Sequence, residues 1–195
     1  MLPTLLPLVE GQSEVAGLPI LLRRLVLHLG LPHVIVAKPF RVYRTKILKK
    51  GEIERAVQQG LRTRQQVTGI VVVLDADDDD PLRVEEVMRA ECVKATSLPV
   101  VVAAATRELE AWFLGAKESL RGVRAIRADA ASPPNPESIR GAKARLSTNM
   151  EGNRHYFETD DQPAFAAKVD LAVALERCPS LQRLAQGLRS MLAER

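Results

Sequence analysis

Acidic residues follow three of the four β-strands that the sequence predicts. Glu10 comes after the first strand, Asp75 and Asp77 after the third, and Glu108 and Glu110 after the fourth. Because ligands of parallel α/β sheets bind outside the carboxyl ends of the strands, we expect these side chains to form one acidic rim. Clustered carboxylates repel one another, raise one another's pKa or bind a cation, and hard divalent ions take carboxylate oxygens as ligands. The pattern predicts a Mg²⁺ or Mn²⁺ site at this rim.

The segment after the third strand carries the densest charge. It holds five carboxylates within six residues, namely Asp75, Asp77, Asp78, Asp79 and Asp80. In an extended segment the side chains at i and i+2 point the same way, so Asp75 and Asp77 would reach one ion while Asp78 points away. The same run, placed directly before Pro81, is also typical of a solvated turn that caps the following helix. Both interpretations are open at this point.

Structural roles compete with metal binding at the other acids. Glu14 would serve equally well as the partner of a helix dipole in a first helical turn. Glu108 and Glu110 lie roughly 200° apart on a helix, so they cannot both face one site. At least one of these two carboxylates is therefore expected to be structural.

The elements that must position the acids have the rhythm of βαβ units. Strands are predicted at residues 5–9, 33–37, 70–74 and 98–103, with helical periodicity between them. The first helix is expected to start at Pro19 and to end near Gly30, and a later helix is expected to begin near Arg107. This predicts an α/β fold with a mainly parallel four-stranded sheet flanked by helices. Residues 1–120 would form the core, and residues 121–195 a loop and two helices packed on it, within a single domain.

Composition limits the protein class. The chain has 195 residues, 46% of them hydrophobic and 27% charged, which is ordinary for a globular domain. Arg23 and Arg24 interrupt the longest apolar stretch, so none approaches the roughly 18–20 residues of a membrane span. The apolar start lacks the features of a secretory signal, and Cys92 and Cys178 are far apart. A soluble, cytoplasmic protein with buried thiols and no membrane partner is expected.

Positive charge is concentrated in one window. The whole chain has a net charge of +4, but residues 38–66 contain nine basic residues against two acids, a net charge of +7. Such a window can hold a phosphate backbone without reading its sequence, although a solvated helix face would look the same. The scarcity of aromatic residues argues against recognition by base stacking. The candidate nucleic-acid-binding residues are Arg41, Arg44, Lys46, Lys49 and Lys50.

Several motifs resemble known families. V-E-G-Q-S-E at 9–14 and L-D-A-D-D at 74–78 resemble the Toprim domain of topoisomerases, bacterial primases, small RNA-maturation nucleases and overcoming-lysogenization-defect nucleases. With R-E-L-E-A-W-F-L at 107–114, G-A-K at 141–143 and H-Y-F-E-T-D-D-Q at 155–162, nearly the whole chain resembles a bacterial Toprim-like family of unknown function, the domain-of-unknown-function 4276 family.

The resemblance implies metal-dependent phosphoryl chemistry. Glu10 matches the motif glutamate, a general base or metal ligand, and Asp75 and Asp77 match the aspartates that hold Mg²⁺. Glu14 matches the second acid of the nuclease-type variant, and Lys143 is our candidate for a cation that meets transition-state charge. The candidate metal ligands are Glu10, Glu14, Asp75, Asp77 and Asp79, with Glu108 and Glu110 as additional acids. The candidate catalytic residues are Glu10 and Lys143.

Three functions are compatible with these features. The leading hypothesis is a Mg²⁺- or Mn²⁺-dependent phosphodiesterase or nuclease acting on DNA or RNA in a defence or mobile-element system, beside a partner such as a separately encoded ATPase. The second is a catalytically inactive Toprim-like subunit that binds nucleic acid or protein. The third is a receiver-like domain that accepts a phosphoryl group on Asp75.

Overall fold

Runs of valine and leucine form a parallel sheet at the centre of the fold. The computed structural model describes residues 2–31, 33–47 and 49–193; Pro32 and the side chain of Arg44 lie outside this description. The strands are β1 (Thr4–Val9), β2 (Ile35–Val36), β3 (Phe40–Arg41), β4 (Gly69–Asp75) and β5 (Val100–Ala105). All six residues of β1 are buried, as expected of a strand covered on both faces.

The order of the strands places β1 and β4 in the middle of the sheet. The order is β2-β1-β4-β5, β3 also pairs with β1, and all pairings are parallel. Val9 is in register with Val73, and Asp75 with Ala105, so β1, β4 and β5 end at the same edge. The predicted α/β class with a mainly parallel sheet is confirmed. The predicted second strand is shorter than expected, and β3 brings the described strands to five.

Helices cover both faces of the sheet. They are α1 (Gln12–His28), α2 (Arg44–Ile47), α3 (Glu52–Thr63), α4 (Pro81–Ala95), α5 (Ala111–Gly115), α6 (Ala142–Ser147), α7 (Glu158–Lys168), α8 (Leu171–Arg177) and α9 (Pro179–Ala193), with short 3₁₀ helices at Lys117–Leu120, Val123–Ala125 and Pro136–Ser138. Alternate residues of β4 point into two hydrophobic clusters, one under α3 and α4 and one under α1 and the C-terminal helices. No helix of the described ranges is both long and apolar enough to cross a membrane.

Helix α1 begins earlier than the sequence predicts. It starts at Gln12, directly after β1, and contains Pro19 in its interior rather than at its first turn. The reason is a capping interaction, because the carboxylate of Glu14 accepts the backbone N–H of Gly11. Gly30 follows the helix with a left-handed φ of 66°, as expected of a residue that ends a helix.

The second half of the chain departs most from the prediction. Helix α5 begins at Ala111 instead of near Arg107, and three helices follow residue 157 where two were expected. Helix α7 packs along α1, and α9 packs against β5. Phe165 and Leu184 of these helices are fully buried in the same hydrophobic cluster as Leu5 of β1. The C-terminal segment is therefore in direct contact with the sheet and with the helix that follows β1.

Candidate functional site

Three neighbouring strands bring acidic residues to one edge of the sheet. Glu10 directly follows β1, Asp75 ends β4, and Glu110 lies five residues after β5, just before α5. The backbone N–H of Asp75 lies 3.4 Å from Oε1 of Glu10, and Oδ1 of Asp75 accepts a 2.8 Å hydrogen bond from the N–H of Leu109. With Glu14, which interacts electrostatically with Asp75, these residues form the carboxylate cluster: Glu10, Glu14, Asp75 and Glu110.

Glu14 both caps a helix and lies in the carboxylate cluster. It is 8% exposed, caps α1 through the N–H of Gly11 and accepts a 3.1 Å hydrogen bond from the hydroxyl of Ser13. Its Oε1 atom also lies 3.4 Å from Nε2 of Gln162 in α7. One carboxylate therefore starts the helix and belongs to the cluster.

The C-terminal segment covers Glu110. This side chain is 1% exposed, and its Oε1 accepts a 3.0 Å hydrogen bond from the hydroxyl of Tyr156 and a 3.3 Å bond from Nε2 of Gln162. Gln162 thus bridges Glu14 and Glu110. Oε1 of the same amide is buried without a hydrogen-bond partner among the described residues. The motif at 155–162 contains both Tyr156 and Gln162, but neither residue was assigned a role from the sequence.

Burial and repulsion raise the pKa of two acids of the cluster, Asp75 and Glu110. Burial raises the pKa of Asp75 well above its usual range, and the nearby charges of Glu110 and Glu10 raise it further. Burial also raises the pKa of Glu110 to about 7, against the opposing effects of the Lys143 ammonium group and of the Tyr156 hydrogen bond. The arrangement favours a bound cation, because positive charge would relieve this repulsion.

Lys143, the candidate cation, lies beside the cluster. Its Nζ is 2.9 Å from Oε1 of Glu158, whose other oxygen lies 3.5 Å from the hydroxyl of Ser13. Burial acts to lower the pKa of Lys143, but the charges of Glu110 and Glu158 outweigh it and raise that pKa above its usual value. Lys143 is therefore fully protonated at neutral pH. Glu158 was not predicted from the sequence.

Residues 9–189 match the model of the family described as "Domain of unknown function (DUF4276)". The chain belongs to this family. The predicted family is thereby confirmed, while the wider Toprim resemblance stays a prediction. No curated protein matches the chain.

Two of the solved structures that are similar to this DUF4276 member come from one protein. They are described as the C-terminal region of the Xanthomonas campestris pv. campestris OLD protein, phased with iodine or with platinum. The sequence identity is 15% and the TM-score 0.49 in both cases. The alignment with the iodine-phased structure covers 97% of this chain and 96% of the other, and that with the platinum-phased structure covers 98% and 95%.

The two acids that precede α5 point to different places in this DUF4276 chain. The expectation that one of Glu108 and Glu110 is structural agrees with the geometry, although both lie before α5 and not on a helix. Oε2 of Glu108 accepts a 3.1 Å hydrogen bond from the backbone N–H of Lys143. Glu108 therefore fixes the first turn of α6, which carries Lys143, while Glu110 lies in the cluster.

The prediction that Asp75 and Asp77 point the same way from an extended segment was wrong. Strand β4 ends at Asp75, and Asp77 has a left-handed φ of 50°, with its N–H donating to the carbonyl of Arg107 at 3.0 Å. Asp75 and Asp77 are therefore not related as i and i+2 of a strand. Asp77 instead lines a separate cleft of about 320 Å³. A left-handed aspartate directly after the strand cannot be read from spacing alone.

The remaining aspartates of the run are exposed. Asp78 forms ion pairs with Arg140 at 2.6 Å and Arg107 at 2.8 Å, and these lower its pKa. Oδ1 of Asp80 accepts the N–H of Leu82 at 3.0 Å and caps α4, as the solvated-turn interpretation predicted. Asp79 is also exposed. The run thus serves partly as a helix cap.

The basic window reaches the same edge of the sheet through Arg41. Its Nε donates to the carbonyl of Glu10 at 3.1 Å and its Nη1 to Oε1 of Gln12 at 3.0 Å. Lys46 lines an adjacent cleft with Arg41, and Lys49 and Lys50 are exposed. The prediction for the Arg44 side chain lies outside the described residues. Arg41 therefore connects the basic window with the carboxylate cluster.

Proposed function

We propose that this protein is a divalent-cation-dependent phosphodiester hydrolase that acts on DNA or RNA. One observation carries the proposal: buried and half-buried carboxylates lie near one another at the carboxyl ends of three neighbouring parallel strands, beside a protonated lysine. Burial and the repulsion of neighbouring acids raise the pKa of Asp75 and of Glu110 above the values of free carboxyl groups. Perturbed acids of this kind are typical of functional sites.

Mg²⁺ and Mn²⁺ are the ions whose chemistry fits these donors. Glu10, Asp75 and Glu110 offer carboxylate oxygens, the ligands that these hard cations prefer. Within residues 2–31, 33–47 and 49–193 no three acidic, histidine or cysteine side chains already converge as a metal site. Binding must therefore rotate these side chains together. A bound ion would act as a Lewis acid on the phosphate group.

The protein's own cations would hold the substrate. The ammonium group of Lys143, beside Glu110 and Glu158, is placed to meet negative charge that develops on a phosphate. Arg41 and Lys46 lie where a strand would approach the cluster from the basic window. Glu10 would act as general base or as ligand. A separately encoded ATPase remains a proposed partner.

The test is cleavage of plasmid DNA, linear DNA and RNA by the purified protein with Mg²⁺, with Mn²⁺ or with neither ion. We expect ion-dependent cleavage that falls by about 100-fold or more in Glu10→Gln and Asp75→Asn. Glu86→Gln is the matched control, since it neutralises an exposed acid of α4 that pairs with Arg83 at 2.6 Å. Equal activity of Asp75→Asn and the unmodified protein would contradict the proposal.

A catalytically inactive binding subunit is the second candidate. It is favoured by the hydrogen bonds from Gln162 and Tyr156 to Glu110, because these make the cluster part of the packing between α7 and the sheet edge. Thermal unfolding with added Mg²⁺ separates the two candidates. A large rise of the melting temperature without cleavage of any nucleic acid would support the binding subunit.

A further inference from the structure

A cleft of about 400 Å³ lies beside the carboxylate cluster, between β3 and α3. We call it the tyrosine cleft; the lining groups that matter are Arg41, Tyr43, Lys46 and Arg55. It is joined to the cluster by Arg41, whose guanidinium group holds the carbonyl of Glu10. The cleft therefore opens next to the site at which hydrolysis is proposed.

Tyr43 is an aromatic platform in this cleft. The residue is 58% exposed and belongs to neither hydrophobic cluster. The guanidinium carbon of Arg41 lies 4.5 Å from the centroid of its ring. Because Arg41 is fixed by Glu10 and Gln12, the ring is held by a cation that is itself anchored to the end of β1.

The charge of the cleft is complementary to phosphate. Its lining carries three cations, on Arg41, Lys46 and Arg55, against the single acid Glu52. Glu52 forms a 2.6 Å ion pair with Arg55 on the surface of α3. The positive charge of Arg41 and Lys46 is therefore not balanced by an acid of the lining. An exposed aromatic ring next to such charge suits a nucleotide, which has both a flat base and a phosphate.

We propose that the tyrosine cleft binds an unpaired nucleotide of a nucleic-acid strand, with the base stacked on Tyr43 and the adjoining phosphates near Arg41 and Lys46. The inference rests on the proposed function in one respect: the nucleic-acid strand bound in the cleft is taken to be the substrate of the proposed hydrolase. In a duplex each base is covered on both faces by its neighbours, so a base must be unpaired or at a strand end to stack on Tyr43. The low aromatic content of the chain does not count against this, because a single exposed ring is enough for one base.

Binding can be tested without catalysis. Fluorescence anisotropy in EDTA would compare a labelled single strand, the corresponding duplex and a single strand of equal length with abasic positions. We expect the single strand to bind about 10-fold more tightly than the abasic strand, a typical effect of one stacked base. Tyr43→Ala should remove this difference, and Tyr43→Phe should keep it. Lys46→Ala should weaken binding to all three probes alike. It should also reduce the slope of the logarithm of the binding constant against the logarithm of the salt concentration by about one, as expected for the loss of one phosphate contact.

The controls keep stacking apart from folding and from catalysis. Leu82 in α4 is as exposed as Tyr43, at 58%, so Leu82→Ala should leave the affinities for the normal and abasic strands unchanged. Thermal unfolding shows whether Tyr43→Ala is folded. Equal affinities for the normal and abasic strands, or a similar loss for both in Tyr43→Ala, would overturn the inference. Stacking on Tyr43 without cleavage of any nucleic acid would contradict the proposed hydrolysis but not the nucleotide-binding cleft. Cleavage that Tyr43→Ala does not change, together with equal affinities for the normal and abasic strands, would contradict the nucleotide-binding cleft but not the hydrolysis.

Discussion

Tyr156 donates a 3.0 Å hydrogen bond to Oε1 of Glu110, and both side chains are buried. The bond joins the segment before α7 to the residue before α5, across 46 positions of the chain. It makes the C-terminal segment a direct neighbour of the acids at the sheet edge. Tyr156 also stacks on Phe165 of α7, with ring centroids 5.7 Å apart, so the hydroxyl is fixed by the packing of its own ring.

Removing the hydroxyl of Tyr156 should destabilise the fold and raise the pKa of Glu110. In Tyr156→Phe we expect a loss of about 1 kcal/mol in the free energy of unfolding, because a buried carboxylate loses one of its donors. The pKa of Glu110 should rise above its present value of about 7, since the bond from Tyr156 lowers it. Urea unfolding measures the stability. Tyr43→Phe, which removes an exposed hydroxyl, is the matched control, and equal losses in both variants would contradict the role of the bond.

Gly17 should be sensitive to the smallest substitution. A Cβ atom at this position of α1 would lie 2.6 Å from Oε1 of Gln162, which is itself buried. Alanine normally stabilises a helix interior relative to glycine, but Gly17→Ala must displace the amide that bridges Glu14 and Glu110. We expect a loss of about 1–2 kcal/mol in urea unfolding. In a Gln162→Ala background the same change should cost little or be favourable, and a full loss there would show that the amide is not the obstacle.

The strand ends were predictable because they depend on local sequence and on the rules of parallel sheets. Continuous valine runs identify β4, and the residue after each strand then falls at the ligand-binding edge. Glu10 and Asp75 came together in this way, and Glu110, five residues after β5, joins them at the same edge. The path of Asp77 was not predictable, because a left-handed residue depends on the partner of its N–H, here the carbonyl of Arg107.

The contribution of α7 was not predictable for a different reason. Tyr156, Glu158 and Gln162 reach the site through the packing of α7 along α1, which brings together residues about 150 positions apart, such as Gln162 and Glu14 at a separation of 148. Helical periodicity shows which face of α7 is apolar but not which helix it covers. The early start of α1 was missed for a local reason. The sequence predicts that the helix begins at Pro19, whereas the contact between the N–H of Gly11 and the carboxylate of Glu14 starts it at Gln12.

Both thiols should be unreactive in the native protein. Cys92 and Cys178 are free and buried, and burial raises the pKa of Cys92 to about 12 and raises that of Cys178 as well. We expect a thiol reagent to label neither residue at neutral pH and both after unfolding in guanidinium chloride. Ser97→Cys introduces an exposed thiol after α4 and should react at once, which controls for the reagent. Rapid labelling of native Cys92 would contradict its burial.

Glu118 should make the stability depend on pH at the acidic end. Burial opposes its ionisation, but hydrogen bonds from the hydroxyl and the N–H of Ser132 outweigh this and lower the pKa to about 2. A carboxyl whose pKa is lowered on folding stabilises the protein above its unfolded pKa of 4.5, and this contribution is lost as the pH falls through about 2.

Ser132→Ala should remove part of this stabilisation. At pH values above about 5 we expect it to cost about 1 kcal/mol, near the lower end for bonds to charged groups, because Glu118 is 37% exposed. The difference from the unmodified protein should shrink between about pH 4.5 and pH 2, where Glu118 becomes protonated in both. Ser138→Ala, whose hydroxyl donates to a carbonyl at the surface, should show a difference that does not change with pH. Urea unfolding across this range checks the prediction, and a constant difference for Ser132→Ala would show that its hydroxyl does not act through the charge of Glu118.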